Sequence, residues 1–259
     1  MHFKVVIPAR FASVRLPGKP LIEIAGKPMI RHVYERAIES GADEVVIATD
    51  SQKIANACAD FSADVCMTSE SHRSGSDRIA EVVKKRNWCE DVVVVNLQGD
   101  EPNMPPELLT QVAGDMCQHE AASVTTLCAP ITDRKTLFDP HVVKVVTDLQ
   151  GYALYFSRAP IPWHREEFLH ADSPLPERMA FFRHIGLYAY RAGYLSQFVA
   201  WEHAPIEQAE SLEQLRVLWH GGKIHVSTAK VDPGHGVDTQ EDLLNLKKSV
   251  DRSILITGF

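Results

Sequence analysis

The chain has 259 residues, of which 45% are hydrophobic, so it can bury the core of one large α/β domain or two small ones. Its 27 Lys and Arg residues against 34 Asp and Glu residues give a formal charge of −7. This acidic balance argues against nucleic-acid and anionic-membrane partners, because both need a basic protein surface. We therefore expect a small ligand, and we favour a single domain over residues 1–259 with an inserted segment.

The sequence contains no apolar run of about 18 residues and no signal-peptide pattern at its N-terminus, which predicts no membrane insertion and a cytoplasmic location. The five cysteines are odd in number and show no C-x-x-C spacing. This usage favours reduced thiols over a disulfide framework or a zinc site.

The first half of the chain alternates β-rich runs with helical segments. The apolar runs are FKVVIP, EVVIATD, ADVCMT and DVVVVNLQGD, and helical patterns occupy residues 28–40 and 76–86. Near-continuous apolar strands are typical of a parallel sheet that is covered by helices on both faces. The sequence therefore predicts an α/β fold with a doubly wound, mostly parallel sheet.

The pattern changes after Gly151. Two aromatic runs, YALYFSRAPIPW and RHIGLYAYRAGYL, bracket a polar loop at 164–178 that has no periodicity. We expect an inserted β-rich lobe at about 151–190. A last helix is predicted in DTQEDLLNLKK, where Asp238 and Glu241 have capping-box spacing.

Three cations, Arg10, Arg15 and Lys19, lie in one short loop after the first predicted strand. Ligands of open α/β sheets bind at the carboxyl ends of strands, so this loop is a candidate site. The cations could converge on a polyphosphate, with Arg offering forked donors and Lys a compact charge, although a solvated loop is the alternative. The P-loop and G-x-G-x-x-G patterns are both absent from the sequence.

The valine-rich run ends in Gln98, Gly99 and Asp100. A carboxylate at a strand end can hold Mg²⁺ (magnesium), which needs only one or two protein carboxylates. An ordinary Gly-Asp turn is the alternative. The segment HRSGSDR at 72–78 places small residues before a helix whose amides could meet an anion, unless Ser76 merely caps that helix.

Polar side chains also interrupt the second half of the chain. Arg158 and His184 lie in otherwise apolar runs of the predicted lobe, where a core histidine is as consistent as a ligand contact. Glu213 and Gln214 lie in a helical segment, where a solvated helix face is the competing interpretation.

Seven blocks, in this order, carry a family resemblance: IPARFASVRLPGKPL, SGSDR, NLQGDEP, ALYFSRAPIP, RHIGLYAY, LEQLR and GVDT. The set resembles the 3-deoxy-manno-octulosonate cytidylyltransferase family, the CMP-Kdo synthetases of Gram-negative bacteria, over nearly the whole chain. The LEQLR and RHIGLY blocks distinguish this family from the sialate cytidylyltransferases. The resemblance implies a nucleotide-diphospho-sugar transferase fold and a homodimer. It also implies that CTP and Kdo (3-deoxy-D-manno-octulosonate) give CMP-Kdo and pyrophosphate for lipopolysaccharide biosynthesis.

The resemblance also implies roles for individual residues. The nucleotide would contact Arg10, Arg15, Lys19, Ser74, Arg78 and Gln98. The acidic sugar would contact Gln98, Arg158, His184, Tyr188, Glu213 and Gln214. Lys19, Asp100 and Asp238 would be catalytic, and both aspartates would hold Mg²⁺.

Two other functions stay open from the sequence. The same transfer could act on an 8-amino analogue of Kdo or on another acidic sugar such as a sialic acid. The chain could also be a nucleotide-binding regulator without turnover, although it keeps both candidate metal carboxylates, Asp100 and Asp238. An assay of pyrophosphate release with CTP and a panel of sugars would distinguish these functions.

Overall fold

The computed structural model describes residues 1–12, 16–72, 74–169, 174–234, 236–237 and 239–257, with the backbone alone for 249–257. Within these residues the strands are β1 Lys4–Ala9, β2 Glu23–Ile24, β3 Lys27–Pro28, β4 Glu44–Thr49, β5 Asp64–Met67, β6 Val93–Asn96, β7 Val124–Ile131, β8 Lys144–Thr147, β9 Ala153–Ser157, β10 Phe181–Arg191 and β11 Ile224–Thr228. The helices are α1 Met29–Glu39, α2 Gln52–Ala59, α3 Gly75–Arg86, α4 Pro106–Gln118, α5 Arg134–Phe138, α6 Ala192–Ala200, α7 Pro205–Glu210, α8 Leu215–Trp219 and α9 Gln240–Thr257. In the described part of the chain, no helix is both long and apolar enough to cross a membrane.

One sheet organises the molecule, with the strand order β11-β7-β10-β6-β1-β4-β5. β1 pairs in parallel with β4 and β6, β4 pairs in parallel with β5, and β11 pairs in parallel with β7. β10 runs antiparallel between β6 and β7. The chain moves outward from β1 to β5 and then returns to β6 on the other side of β1, so the strand order reverses between β1 and β6. The predicted doubly wound, mostly parallel sheet is therefore confirmed.

The sheet separates two layers of core because side chains alternate between its faces along each strand. Val5 and Ile7 of β1 belong to one cluster, with residues of α1 and α4. Val6, between them, belongs to the other cluster, with residues of α3 and α6. All three side chains are fully buried. The near-continuous valine runs thus reflect helices on both faces.

β8, β9 and the start of β10 form a β-rich excursion that joins the main sheet through β10. β8 and β9 pair as an antiparallel hairpin, and β8 also pairs with the start of β10. A small cluster of Ile131, Leu137, Phe168 and Phe181 packs beneath this region. The second half of β10 pairs with β6, so the excursion and the sheet share a strand.

Two helix ends test the boundaries expected from sequence. Gly41 follows α1 with a φ of 75°, as expected for a residue that ends a helix. The capping box of α9 lies one position later than the predicted pair of Asp238 and Glu241. Thr239 Oγ1 accepts a hydrogen bond from Asp242 N at 3.2 Å, and Asp242 Oδ2 accepts one from Thr239 N at 2.7 Å. A threonine hydroxyl can accept the capping hydrogen bond at a helix N-terminus, as an aspartate carboxylate can. Asp238 itself lies outside the described residues.

The central strands should supply most of the stability, and two isoleucines provide a matched test. Ile47 of β4 is 0% exposed and Ile38 of α1 is 50% exposed. We expect Ile47→Ala to lower the free energy of unfolding by about 2–5 kcal/mol, because it leaves a cavity in a packed core. Ile38→Ala should change it by less than about 0.5 kcal/mol. Urea unfolding followed by circular dichroism measures both values, and equal losses would contradict the burial of Ile47.

Candidate active site

The loop after β1 carries the predicted phosphate-binding cations. Arg10 directly follows β1 and is exposed, and the loop closes where Gly18 N donates to Phe11 O at 3.1 Å. Gly18 has a φ of 69°, a left-handed conformation that glycine adopts without strain. Lys19 begins a short 3₁₀ turn and is only 7% exposed, unlike a solvated lysine. Arg15 lies outside the described residues.

β6 passes close enough to β1 to bring Asp100 to Lys19. A Cβ on Gly99 would lie 2.9 Å from Pro8 O, so a larger residue there would push the two strands apart. Lys19 Nζ donates to Asp100 Oδ2 at 2.7 Å, although the two residues are 81 positions apart. The Asp100 side chain is 38% exposed and also faces solvent. The structure thus joins two of the residues to which the resemblance gives catalytic roles.

The segment before Asp238 packs against this strand end. Val237 N donates to Asp100 O at 2.9 Å. A Cβ on Gly236 would lie 2.7 Å from Glu101 Oε1, so glycine also allows a close approach at this point. The chain therefore reaches Asp100 immediately before the position of Asp238.

The residues around Asp100 fit a hard divalent cation. Mg²⁺ takes one or two protein carboxylates and completes its coordination with water and phosphate oxygens. Asp100 offers a carboxylate that is exposed at a strand end and stands beside a buried ammonium group suited to phosphate. Among the described residues, no three His, Cys, Asp or Glu side chains form a metal-binding group.

α3 points its N-terminus toward the same edge of the sheet. Ser74 Oγ accepts from Asp77 N and Asp77 Oδ2 accepts from Ser74 N, both at 3.1 Å. This capping box corrects the alternative in which Ser76 caps the helix, because Ser74 has the extended backbone of a cap residue. A Cβ on Gly75 would lie 3.7 Å from Gln98 Nε2, so the start of α3 adjoins the end of β6.

Arg78 is held inside the protein at 3% exposure. Its guanidinium donates to the carboxylate of Asp50, which follows β4, and to the hydroxyl of Thr68, which follows β5. These contacts fix α3 against two strand ends. The role of Arg78 in binding nucleotide stays a prediction.

A pocket of about 330 Å³, including its open mouth, lies beside these loops. Its walls come from the end of β6, the second half of β10, the start of β7, α6 and the connection from α7 to α8. The lining residues are Asn96, Gln98, Val124, Tyr188, Tyr190, Phe198, Glu213, Gln214 and Val217. Of the six residues that the resemblance assigns to the sugar, Gln98, Tyr188, Glu213 and Gln214 therefore meet in one pocket.

Sequence reasoning missed Asn96 and Tyr190. Asn96 Oδ1 accepts from Gln98 Nε2 at 3.0 Å, which orients that amide. The ring of Tyr190 stacks on Tyr188 with centroids 6.0 Å apart. Two signals could have identified these residues: Asn96 is polar within a valine run, and Tyr190 shares a strand face with Tyr188 at a spacing of two.

Glu213 and Gln214 present buried polar atoms in this pocket. Ser76 Oγ donates to Glu213 Oε2 at 3.1 Å. Glu213 Oε1 and Gln214 Nε2 are buried, and neither has a hydrogen-bond partner among the described residues. Burial raises the pKa of the Glu213 carboxyl, while Ser74 and Arg216 act in the opposite direction. Such atoms cost free energy unless a ligand bonds to them, so the pocket is suited to a polar substrate.

His184 lies behind the pocket and supports its wall. Its ring contacts Tyr188 and Phe156, with centroids 5.3 and 5.0 Å away. Thr126 Oγ1 lies 3.0 Å from His184 Nε2 and forms a hydrogen bond with the imidazole. Burial lowers the pKa of His184 to about 3, which keeps the ring neutral.

Arg158 follows β9 and also lies outside the pocket lining. Its Nε donates to Glu210 O at 2.7 Å and its Nη1 to Pro140 O at 3.0 Å. Glu210 ends α7, three positions before Glu213. Arg158 is therefore tied to the connection that carries the pocket residues.

The fold and the site together define a nucleotide-binding transferase. A lysine and an aspartate meet where the strand order of a doubly wound sheet reverses, which is the ligand position of such folds. A pocket with carboxyl, amide and phenol groups adjoins them, as a polyhydroxylated second substrate would need.

Comparison with known proteins identifies the kind of transferase. A family model described as Cytidylyltransferase matches residues 4–224. A 3-deoxy-manno-octulosonate cytidylyltransferase of Pasteurella multocida is 51% identical, covering 97% of this chain and 99% of the relative. That of Idiomarina loihiensis is 54% identical, covering 96% and 98%. The chain therefore belongs to the cytidylyltransferase family, among the 3-deoxy-manno-octulosonate cytidylyltransferases, as the ordered sequence blocks predicted.

Solved structures agree with this family. A CMP:2-keto-3-deoxy-manno-octonic acid synthetase in complex with CTP matches with a TM-score of 0.88 and 39% identity, over 98% of this chain and 100% of that chain. A 4-diphosphocytidyl-2C-methyl-D-erythritol synthase matches with a TM-score of 0.62 and 13% identity, over 97% and 99%. The second likeness shows the fold alone.

The neutral state of His184 can be tested by NMR. We expect the Cε1 proton of His184 to keep one chemical shift from pH 8 to pH 5, because the folded pKa is about 3. A histidine-containing peptide, with a pKa of about 6.5, provides the titrating reference. The spectrum of His184→Gln assigns the resonance, and a titration midpoint above pH 5 would contradict the neutral ring.

The same group should make folding depend on pH. The folded pKa of His184 lies below the unfolded value of about 6.5. Its contribution to the free energy of unfolding is therefore complete above pH 6.5 and is lost as the pH falls toward the folded pKa. His184→Gln should therefore show a smaller loss of unfolding free energy between pH 7 and pH 5 than the unaltered chain, as measured by urea unfolding.

Proposed function

We propose that the chain transfers CMP from CTP to the anomeric hydroxyl of Kdo and releases pyrophosphate. The observation that carries this function is the pocket of Gln98, Tyr188, Glu213 and Gln214 beside the Lys19–Asp100 pair. The pocket offers groups for a polyhydroxylated sugar, and the pair lies at the nucleotide position of the fold. The likeness to a synthetase in complex with CTP supports the choice of nucleotide.

The reaction is an in-line substitution at phosphorus. The anomeric oxygen of the sugar forms a bond to the α-phosphorus, the bond from that phosphorus to the bridging oxygen breaks, and pyrophosphate leaves with that electron pair. The hydroxyl proton passes to solvent. Both substrates are anions, so repulsion between them is the main obstacle, and Arg10 and Lys19 would reduce it by binding the phosphates. Positioning of the two substrates in adjacent sites supplies the rest of the catalysis.

Asp100 and Asp238 would hold Mg²⁺ at this point. Val237 N is bonded to Asp100 O, so the main chain reaches the strand end one residue before Asp238. Thr239 supplies the cap of α9, so Asp238 is not needed for that purpose. The ion, when bound, would neutralise charge on the triphosphate and on the departing pyrophosphate.

The sugar would be held by hydrogen bonds from several elements. Glu213 Oε1 accepts from a hydroxyl and Gln214 Nε2 donates to one, so each gains the hydrogen bond that it lacks among the described residues. The carboxylate of the sugar acid requires a cation, and Arg158 is placed beside the connection that carries these residues. Neutral His184 acts through Tyr188, whose ring it contacts.

A panel of acceptors tests the function. The purified chain is incubated with CTP, Mg²⁺ and either Kdo, its 8-amino analogue or a sialic acid, and pyrophosphate is measured. We expect efficient release with Kdo and little with the sialic acid. Faster release with the 8-amino sugar would move the proposal to that substrate. CTP binding without release for any acceptor would favour a regulator.

The two aspartates give a sharper test of the metal site. Asp100→Asn keeps the shape of the side chain but removes the charge that a hard cation prefers, so kcat/KM should fall by about 100-fold and the Mg²⁺ requirement should rise. Asp238→Asn should do the same. If one ion binds both, the double variant should lose little more than either single variant.

Asp91→Asn, an exposed change before the opposite end of β6, is the matched control and should leave kinetics and melting temperature unchanged. Wild-type kinetics and Mg²⁺ dependence in Asp238→Asn would remove that residue from the proposed site. A low melting temperature in Asp100→Asn would indicate a structural role.

We also propose that the chain acts as a homodimer through the segment at 151–190 and the turn before it. Leu149, Leu154, Trp163 and Leu169 are 97%, 62%, 56% and 71% exposed, so this part of the chain offers large apolar side chains that an interface could bury. Of the predicted aromatic run Tyr152, Tyr155 and Phe156, the structure buries Phe156 in the core.

A charge placed in this surface should separate the subunits. We expect light scattering at micromolar concentration to give twice the mass of one chain, and Leu154→Glu to reduce it to one, because burial of the new carboxylate is unfavourable. Leu244→Glu, on the 49% exposed side chain of a leucine in α9, is the matched control. A single-chain mass for the unaltered protein would contradict the dimer.

A cytoplasmic location agrees with the state of the cysteines. All five are free thiols, with Cys58, Cys66 and Cys128 buried and Cys89 and Cys117 exposed. Free exposed thiols persist in a reducing compartment, which supports this location as part of the proposal.

A further inference from the structure

Lys144 at the start of β8 is a buried cation that the proposed reaction does not use. Its side chain is 0% exposed. Burial lowers the pKa of its amine, and the nearby Asp139 carboxylate opposes that effect. Removing an ammonium group from water costs free energy unless the protein supplies hydrogen bonds in return. An apolar residue of similar length would avoid this cost, so the lysine needs a physical explanation.

The ammonium group is satisfied entirely by main-chain carbonyls. Lys144 Nζ donates to Asp139 O at 2.8 Å, to Val142 O at 2.6 Å and to Arg158 O at 2.5 Å. These bonds use all three donors of the amine. Two of the acceptors belong to the turn at 139–142 between α5 and β8, and the third follows β9. Lys144 therefore ties this turn to the main chain of Arg158.

The side chain of Arg158 is oriented by the same turn. Its Nη1 donates to Pro140 O at 3.0 Å, between the two carbonyls that Lys144 binds. On its other side, Nε donates to Glu210 O at 2.7 Å. The Glu210 carboxylate also accepts from Arg158 N at 2.9 Å and from Ser157 Oγ at 2.6 Å. Arg158 is thus held between the turn and the end of α7.

These contacts connect Arg158 to the residues that line the pocket. Ser211, immediately after Glu210, has a φ of 52° and turns the chain out of α7. Glu213 and Gln214 follow and line the pocket. A shift of the turn at 139–142 would therefore move the Arg158 guanidinium relative to the groups that contact the sugar.

We propose that Lys144 is a positioning residue for the acidic sugar, which it affects by fixing Arg158 beside the pocket. The inference rests on the proposed function, in which Arg158 binds the carboxylate of the sugar acid. Lys144 contacts neither substrate, and its effect passes through the turn at 139–142 and the main chain of Arg158. The nucleotide loop after β1 is not part of this set of contacts, so CTP binding is independent of Lys144.

A double-mutant cycle with separate Michaelis constants tests this role. Lys144→Met removes the amine and keeps the length of the side chain. It should raise the KM for Kdo about tenfold and change the KM for CTP less than about twofold, since it disturbs contacts to one substrate. Arg158→Met should raise the KM for Kdo by at least as much. Because Lys144 acts through Arg158, adding Lys144→Met to Arg158→Met should raise it no further.

Lys84→Met, on an exposed lysine of α3, is the matched control and should change neither KM. A merely structural role predicts a lower melting temperature with both KM values unchanged or raised together, and either result would overturn the inference. Additive effects in the double variant would also overturn it, because Lys144 would then act independently of Arg158.

A second variant keeps the test possible if the first one does not fold. If Lys144→Met does not fold, Lys144→Gln, which keeps two donors, replaces it in the cycle, and failure of both variants to fold would establish a structural role instead. Pyrophosphate release by the unaltered chain distinguishes failure of the proposed function from failure of the role proposed for Lys144. Absence of pyrophosphate release from CTP and Kdo by the unaltered chain would overturn the proposed function. Release together with an unchanged sugar KM in Lys144→Met would overturn this inference alone.

Discussion

The pair of Lys19 and Asp100 depends on how closely β6 runs beside β1. Gly99 permits this approach, since a Cβ there would lie 2.9 Å from Pro8 O. The pair stands where the strand order reverses, so loops from both halves of the sheet meet without competing for space. α3, the end of β6 and the segment at 236–237 all pack around this point. Widening this gap would separate the loop after β1 both from the Asp100 carboxylate and from the pocket that Glu213 and Gln214 line.

The polar side chains in and around the site fall into two groups, those with hydrogen-bond partners in the described part of the protein and those without. Arg78, His184 and Lys144 have protein partners and hold walls or turns in place. Glu213 Oε1 and Gln214 Nε2 are buried without a hydrogen-bond partner among the described residues, although Arg216 Nη2 lies 3.8 Å from Glu213 Oε1, and both residues line the pocket. The first group gives rigidity before substrate arrives. Under the proposed function, the second group would gain its hydrogen bonds from the sugar, so affinity and specificity would come from the same atoms.

The fold could be predicted from the sequence wherever the apolar pattern is unambiguous. The valine runs of β1, β4 and β6 require two buried faces, and those strands were expected. β7 was missed because its buried Thr125 and Thr126 look polar, although their hydroxyls bond to main-chain carbonyls. The central position of β10 could not be predicted, since periodicity does not indicate which strands are neighbours. All six predicted sugar residues came from the family resemblance, whereas the meeting of four of them in one pocket depends on tertiary structure.

The position of β10 affects how the chain can fold as it is synthesised. β1, β4, β5 and β6 are all complete by residue 96 and can pair early. β7 follows, but in the finished sheet it reaches β6 only through β10, which ends at residue 191. Until β10 is made, β6 and β7 each have an unpaired edge. The hydrogen bonds that later pair these edges join distant parts of the chain. High contact order of this kind slows folding and leaves a nascent chain open to aggregation, so this enzyme should depend on chaperones more than a sheet built in sequence order.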